Sequence, residues 1–114
     1  MLFQRFTLGP IPLRNRVVMA PMTRNRADAG HVPTPIMAQY YAERATIGLI
    51  ITEGVAPSPN GAGYPRIPGL YNAQQVAAWR PVTDAVHARG GRIFLQMVHT
   101  GRASHVANLP AGAG

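Results

Sequence analysis

Short apolar runs alternate with stretches of helical spacing along this chain. Phe6-Thr7-Leu8, Gly9-Pro10 and Ile11-Pro12-Leu13 predict a small hairpin about a Gly-Pro turn. Arg16-Val17-Val18-Met19-Ala20 is apolar and β-branched, as expected of a strand buried on both faces, and Pro21 ends it. A polar loop runs from Thr23 to Val32, with a turn at Asp28-Ala29-Gly30. Thr34 at the cap and Pro35 at the first helical position open a helix. Ile36, Met37, Tyr40, Tyr41 and Ala45 recur at helical spacing, and Gly48 marks the end. Leu49-Ile50-Ile51-Thr52 predicts a second buried strand, with Glu53-Gly54 at its C-terminal end.

Ala56 to Tyr71 is rich in Pro and Gly and predicts a long loop of the kind that usually carries function. Asn72 caps the next helix, with Gln75 placed as in a capping box. Val76, Trp79, Val82, Thr83 and Val86 mark its buried side, Pro81 predicts a kink or break, and Gly90-Gly91 closes it. Arg92 to Val98 is the third strand, and His99 to Gly114 an irregular loop ending in Pro110-Ala111-Gly112-Ala113-Gly114. Strands alternating with helices imply a parallel sheet, in an α/β fold of one structural unit. The pattern suits the start of an open sheet or of a barrel, and the hairpin favours a barrel, as a plug across its bottom. No Gly-x-Gly-x-x-Gly follows a strand, against a dinucleotide-binding Rossmann unit.

Composition narrows the classes. The hydrophobic share of 46% supports a core. No apolar run approaches the roughly 20 residues of a membrane span, and the start lacks a secretory pattern. Cysteine is absent, which excludes disulfides and thiolate metal sites and fits a cytoplasmic location. The formal charge is +7, carried by scattered arginines without a basic run, so no nucleic-acid role is expected. His31, His87, His99 and His105 show no metal-ligand spacing, and no metal is expected.

Chemistry in such folds sits beyond the C-terminal ends of the strands. Three places qualify: Pro21-Met22-Thr23, Glu53-Gly54, and Gln96 to Arg102. Thr23 offers a hydroxyl, for a ligand or for a turn. Gln96 sits in an apolar strand, where its amide needs partners. The residue type favours an internal hydrogen bond. A donor and acceptor side by side also suit a heterocycle with alternating N–H and C=O groups, such as a flavin pyrimidine ring. His99-Thr100-Gly101-Arg102 is expected to be a structural turn, and Glu53 to pair with an arginine at the rim. No nucleophile–base pair stands out.

Asn15-Arg16-Val17-Val18-Met19-Ala20-Pro21-Met22-Thr23-Arg24, Ile51-Thr52-Glu53-Gly54, Gly63-Tyr64 with Pro68-Gly69, and Leu95-Gln96-Met97-Val98-His99-Thr100-Gly101-Arg102 resemble the Old Yellow Enzyme family in order and spacing. Its members are FMN-dependent ene-reductases on a (β/α)₈ TIM barrel. The resemblance spans essentially the whole chain, and Thr23, where another branch has Cys, points to the yeast and enterobacterial branch. It implies FMN as cofactor, NADPH or NADH as hydride donor, and a small-molecule activated alkene as substrate. It further implies that Pro21, Met22 and Thr23 line the flavin, with the Thr23 hydroxyl near O4 and N5. Gly54 would leave room at the O4 edge, and Gln96 would bind the pyrimidine edge. Tyr64 would project over the substrate side, with Thr23 and Val98 beside it. Val98 departs from the pattern, since many relatives carry Trp there. The family's His/Asn or His/His pair, its proton-donating Tyr and its flavin-contacting Arg residues lie further along, so no catalytic residue is assigned here.

A (β/α)₈ barrel needs at least about 200 residues. Residues 1–114 are therefore expected to form the N-terminal segment of one FMN-binding TIM-barrel domain, with the hairpin and about three βα units. A complementary C-terminal chain of the same barrel is expected to complete it, as in a split or rearranged enzyme. The alternatives are a flavin-binding fragment or carrier without turnover, and a basic phosphate- or nucleic-acid-binding α/β module.

Overall fold

A computed structural model describes residues 1–111. Residues 112–114 of the Gly/Ala tail lie outside the described residues. The element order is the hairpin β1 (Phe6–Leu8) and β2 (Ile11–Leu13), then β3 (Val18–Met19), α1 (Pro35–Ala42), β4 (Leu49–Val55), α2 (Ala73–Ala88) and β5 (Ile93–Met97). β1 and β2 pair antiparallel about Gly9, and β3, β4 and β5 form a parallel sheet with β4 central. The alternation of strand and helix thus produces the expected parallel connections.

One face of this sheet is covered by both helices. Met19, Ile50 and Val55 from the strands meet Met37, Tyr41, Ala45, Trp79, Val82 and Val86 in the core. α2 begins as its sequence implies: the Asn72 carboxamide accepts the Gln75 N–H at 2.8 Å. The Gln75 side chain departs from a capping box, accepting from Tyr71 N–H and donating to the Gly30 carbonyl. This work buries Gln75 and turns Val76 out to solvent, contrary to the expected buried side. Pro81 lies on the exposed side and the helix runs through it unbroken. At the C-terminus Gly90 adopts φ +75°, and Gly90 and Gly91 N–H bond back to the His87 and Val86 carbonyls as a Schellman motif.

Four further expectations are corrected. β3 is only Val18–Met19, and it is buried on one face: Met19 enters the core while Val18 is 49% exposed. The Thr34 hydroxyl does not cap α1; it donates instead to the Arg26 carbonyl at 2.6 Å. α1 itself stops at Ala42, and successive turns carry the chain to Gly48. β4 continues through Glu53 and Gly54 to Val55, so those residues lie within the strand.

Gly48 is there for close approach. A Cβ would collide with the Asn15 backbone carbonyl. Asn15 Oδ1 accepts both Val17 N–H (3.0 Å) and Gly48 N–H (2.7 Å), and its Nδ2 donates to the Thr46 carbonyl at 2.9 Å. Gly48→Ala must therefore push apart the joint between β3 and β4. We expect a loss of about 1–3 kcal/mol, typical of overpacking, in chemical denaturation of the intact protein. An unchanged midpoint would show that the joint yields freely.

Candidate functional site

Beyond the C-terminal ends of the three parallel strands lies a cleft of about 160 Å³. It is lined by Pro21, Thr23, Gly54, Tyr64, Ile67, Gln96, Val98 and Thr100. Six residues singled out in the sequence thus converge: Pro21 and Thr23 after β3, Gly54 in β4, Gln96 in β5, Val98 just after it, and Tyr64 from the long loop. Met22 is not in the lining and is exposed. Ile67 and Thr100 are additions. Ile67 gave no signal within a Pro/Gly-rich loop, whereas Thr100 stood in a block whose turn residues masked it.

The pairing of β4 with β5 determines what faces this cleft. Ile51 pairs with Phe94, but Gly54 pairs with Gln96, so β4 carries one residue more than β5 over this interval. Ile50 points into the helical core. Strict alternation from Ile50 would send Glu53 to the cleft and Gly54 to the helices. The bulge reverses both, as bulges beside functional sites do. The buried Thr52 hydroxyl fills the gap, accepting Gln96 N–H at 3.3 Å and donating to the Glu53 carbonyl at 2.9 Å.

Gly54 then floors the cleft. A side chain there would lie 3.3 Å from Val98 Cγ2 and 4.0 Å from Gln96 Oε1. The Gln96 carboxamide, half-buried, makes no hydrogen bond to the described residues, and neither does the Thr23 hydroxyl. The internal partner that residue type favoured for Gln96 is not there. A donor–acceptor amide, a hydroxyl and a surface without a side chain therefore meet around one space. That donor set fits a flat heteroaromatic ring with polar edges, such as the FMN isoalloxazine.

The long loop is fixed by the loop that precedes α1. Ala27 N–H, Asn25 Nδ2 and His31 Nδ1 contact the carbonyls of Arg66, Pro65 and Ile67, and Gly69 N–H donates to the His31 carbonyl. Thr100 donates through both its N–H and its hydroxyl to Gly61, and Asn108 donates to the Gly63 carbonyl. Tyr64 is held between these anchors at the cleft. His99 is outside the cleft, with Nδ1 accepting Gly101 N–H at 2.9 Å, as expected of a structural turn. No group of three His, Asp or Glu residues could hold a metal among the described residues. No helix among them is long and apolar enough to cross a membrane.

Glu53 departs from its expected pairing. It is 1% exposed and does not pair with an arginine at the rim; the Tyr41 hydroxyl donates to its Oε2, and Glu53 N–H donates back to that hydroxyl at 3.0 Å. Oε1 has no hydrogen-bond partner among the described residues, an omission that typically costs about 1–3 kcal/mol. Burial raises the carboxyl pKa above its ordinary 4.5, while the Tyr41 hydroxyl and the nearby Arg24 pull it down. Burial and the neighbouring Glu53 likewise push the Tyr41 phenol upward.

A carboxyl raised in the folded state holds a proton that the unfolded chain has already lost. Its contribution to stability is complete below 4.5 and is lost as pH rises through the folded value. The stability of the native protein relative to Glu53→Gln should fall as pH increases from 4.5, measured by denaturant midpoints across pH. Parallel curves for the two proteins would contradict a raised Glu53.

Comparison with known proteins agrees with the geometry. Residues 1–113 match the NADH:flavin oxidoreductase / NADH oxidase family. The chain is 52% identical to 12-oxophytodienoate reductase 7 of Oryza sativa subsp. japonica over 113 residues, which are 98% of this chain and 28% of that protein. It is 48% identical to chanoclavine-I aldehyde reductase of Penicillium roqueforti, covering 99% of this chain and 31% of that protein. Among solved structures, an old yellow enzyme homologue of Zymomonas mobilis superposes with TM-score 0.92 at 48% identity, covering 94% of this chain and 30% of that one. Morphinone reductase in complex with tetrahydroNAD gives 0.93 at 46% identity, covering 98% and 31%. The chain therefore spans only about 30% of the length of these relatives. With its strand-end cleft, its Thr23–Gly54–Gln96 lining and this continuous match, the chain belongs to the NADH:flavin oxidoreductase / NADH oxidase family, that of the Old Yellow Enzymes.

Proposed function

We propose that this chain supplies one wall of the flavin site of an FMN-dependent NAD(P)H oxidoreductase that reduces activated C=C bonds. The substrates would be α,β-unsaturated carbonyl compounds and nitroalkenes. The observation that carries this reading is the meeting of Thr23, Gly54 and Gln96 at one cleft, with the Thr hydroxyl and the Gln amide unbonded among the described residues.

Bound FMN would supply hydride transfer between the nicotinamide donor and the alkene. The chain's own residues would do the holding and tuning. Gln96 would bond the pyrimidine edge through both its donor and its acceptor. Thr23 would donate near O4 and N5, and Pro21 would flank the ring. Gly54 would admit the O4 edge where a side chain would obstruct it. Tyr64 and Val98 would border the substrate. Polarising the alkene and donating its proton would fall to residues elsewhere in the barrel.

The rest of a (β/α)₈ barrel, on a complementary C-terminal chain, is part of this proposal. Among the described residues β3 and β5 each pair on one side only, and Val18, Phe94 and Met97 are 49%, 45% and 46% exposed. Such open edges and uncovered apolar side chains call for further strands and helices. A cytoplasmic setting fits the cysteine-free composition.

Two experiments test the reading. The chain mixed with the complementary barrel segment and FMN should turn yellow and consume NADPH when an enone is added. A colourless, inert mixture would sink the proposal, and colour without turnover would instead mark a flavin carrier. In the active enzyme, Val98→Trp should narrow the cleft above Gly54 and alter product stereochemistry or substrate range. Unchanged selectivity would remove Val98 from the substrate wall.

A further inference from the structure

Three arginines from distant parts of the sequence meet at the end of the sheet opposite the cleft. Arg5 before β1, Arg14 after β2 and Arg92 before β5 line a cavity of about 380 Å³, between the hairpin and Gly90 beyond α2. All three are exposed, and no Asp or Glu lines the cavity with them. Arg14 donates through one nitrogen to the Arg89 carbonyl, and Arg92 through one to the Pro12 carbonyl. The Arg5 side chain makes no hydrogen bond to the described residues. Carbonyl dipoles carry no net charge, so three like charges face one space uncompensated.

The chain has little of its own to offset them. It carries 11 arginines, no lysine and 4 acidic residues. Glu53 is buried against Tyr41, and Glu43 lies 3.6 Å from Arg44. The Asp28 carboxylate accepts the Gly30 and Val32 N–H groups, and Asp84 lies outside the cavity lining. A second copy would bring the same excess of cations. The fitting occupant is an acidic surface on a different segment.

We propose that this cavity is the docking surface for Asp and Glu side chains of the complementary barrel segment. This rests on the reading above that further strands complete the sheet. Position supports it, because Arg92 directly precedes β5, whose outer edge is unpaired among the described residues. Phe6 and Leu13, which line the arginine cavity, also line a mostly apolar groove with Val18 of β3, the strand at the other edge. The hairpin therefore reaches both open edges, with apolar contact at one and positive charge at the other. Complementary charge at such a joint speeds encounter and fixes register.

The test is the affinity of this chain for the complementary barrel segment, measured by titration calorimetry at two salt concentrations. The variants are Arg5→Gln/Arg14→Gln/Arg92→Gln and the same three positions changed to Lys. At about 0.1 M salt the Gln triple should bind about tenfold more weakly, with the Lys triple close to wild type. At about 1 M salt, where screening acts within about 3 Å, the affinities should converge. Arg14 and Arg92 also brace their own chain, so Arg5→Gln alone is the second route and should weaken binding in the same direction by a smaller factor. Equal affinities at low salt, or a gap that persists at high salt, would overturn the docking role and leave the barrel reading intact. Saturable binding of inorganic phosphate to the assembled barrel, lost in the Gln triple, would overturn it too, by giving the cavity to a free anion. A wild-type chain that fails to associate at either salt would instead remove the complementary-segment reading, and the docking with it.

Discussion

Between Ile51 and Gly54 the ladder from β4 to β5 carries an extra residue, and the buried Thr52 hydroxyl takes up the Gln96 N–H that the irregularity would otherwise strand. Nearly everything at the strand ends follows from that accommodation. It places the bare Gly54 backbone at the cleft and sends the Glu53 carboxyl toward Tyr41. In a regular strand the acid would stand in the cleft, and no smooth floor would exist beneath Val98. A buried hydroxyl with one donor and two acceptor positions suits this post, because it satisfies a ladder N–H and still donates to the Glu53 carbonyl.

The remaining walls are set by loops tied to one another. The segment after β4 has little regular structure beyond a short 3₁₀ turn at Pro59–Gly61, yet its carbonyls are engaged by Ala27, Asn25, His31 and Asn108. Such cross-loop bonding offsets the conformational freedom that a Pro/Gly-rich segment would otherwise retain. It presents Tyr64 at the cleft from a supported backbone.

The parallel order of the strands was legible because each run of β-branched residues was bounded by Pro or Gly, and because the helices between them kept their period. The cleft was legible for a related reason: strand ends can be located without knowing how strands pair, so Pro21, Thr23, Gly54 and Gln96 could be named from position alone. What escaped depended on pairing and on neighbours distant in sequence. Glu53 sits on the helix side through a bulge that no local pattern announces. Val76 was displaced from the core by a glutamine whose amide reaches back to Gly30. Val18 has the character of a buried strand residue, yet the described residues place nothing over it.

Asn15 lies outside every regular element, and its three backbone bonds reach Val17, Thr46 and Gly48. β3 is too short for its own ladder to choose a phase against β4. A slip of one position would exchange Val18 and Met19 between the two faces of the sheet. A single half-buried carboxamide thus decides which of two neighbouring side chains becomes interior, and with it the height at which Pro21 and Thr23 leave the strand. Polar residues at the base of the sheet can in this way dictate the geometry of its opposite end without approaching it.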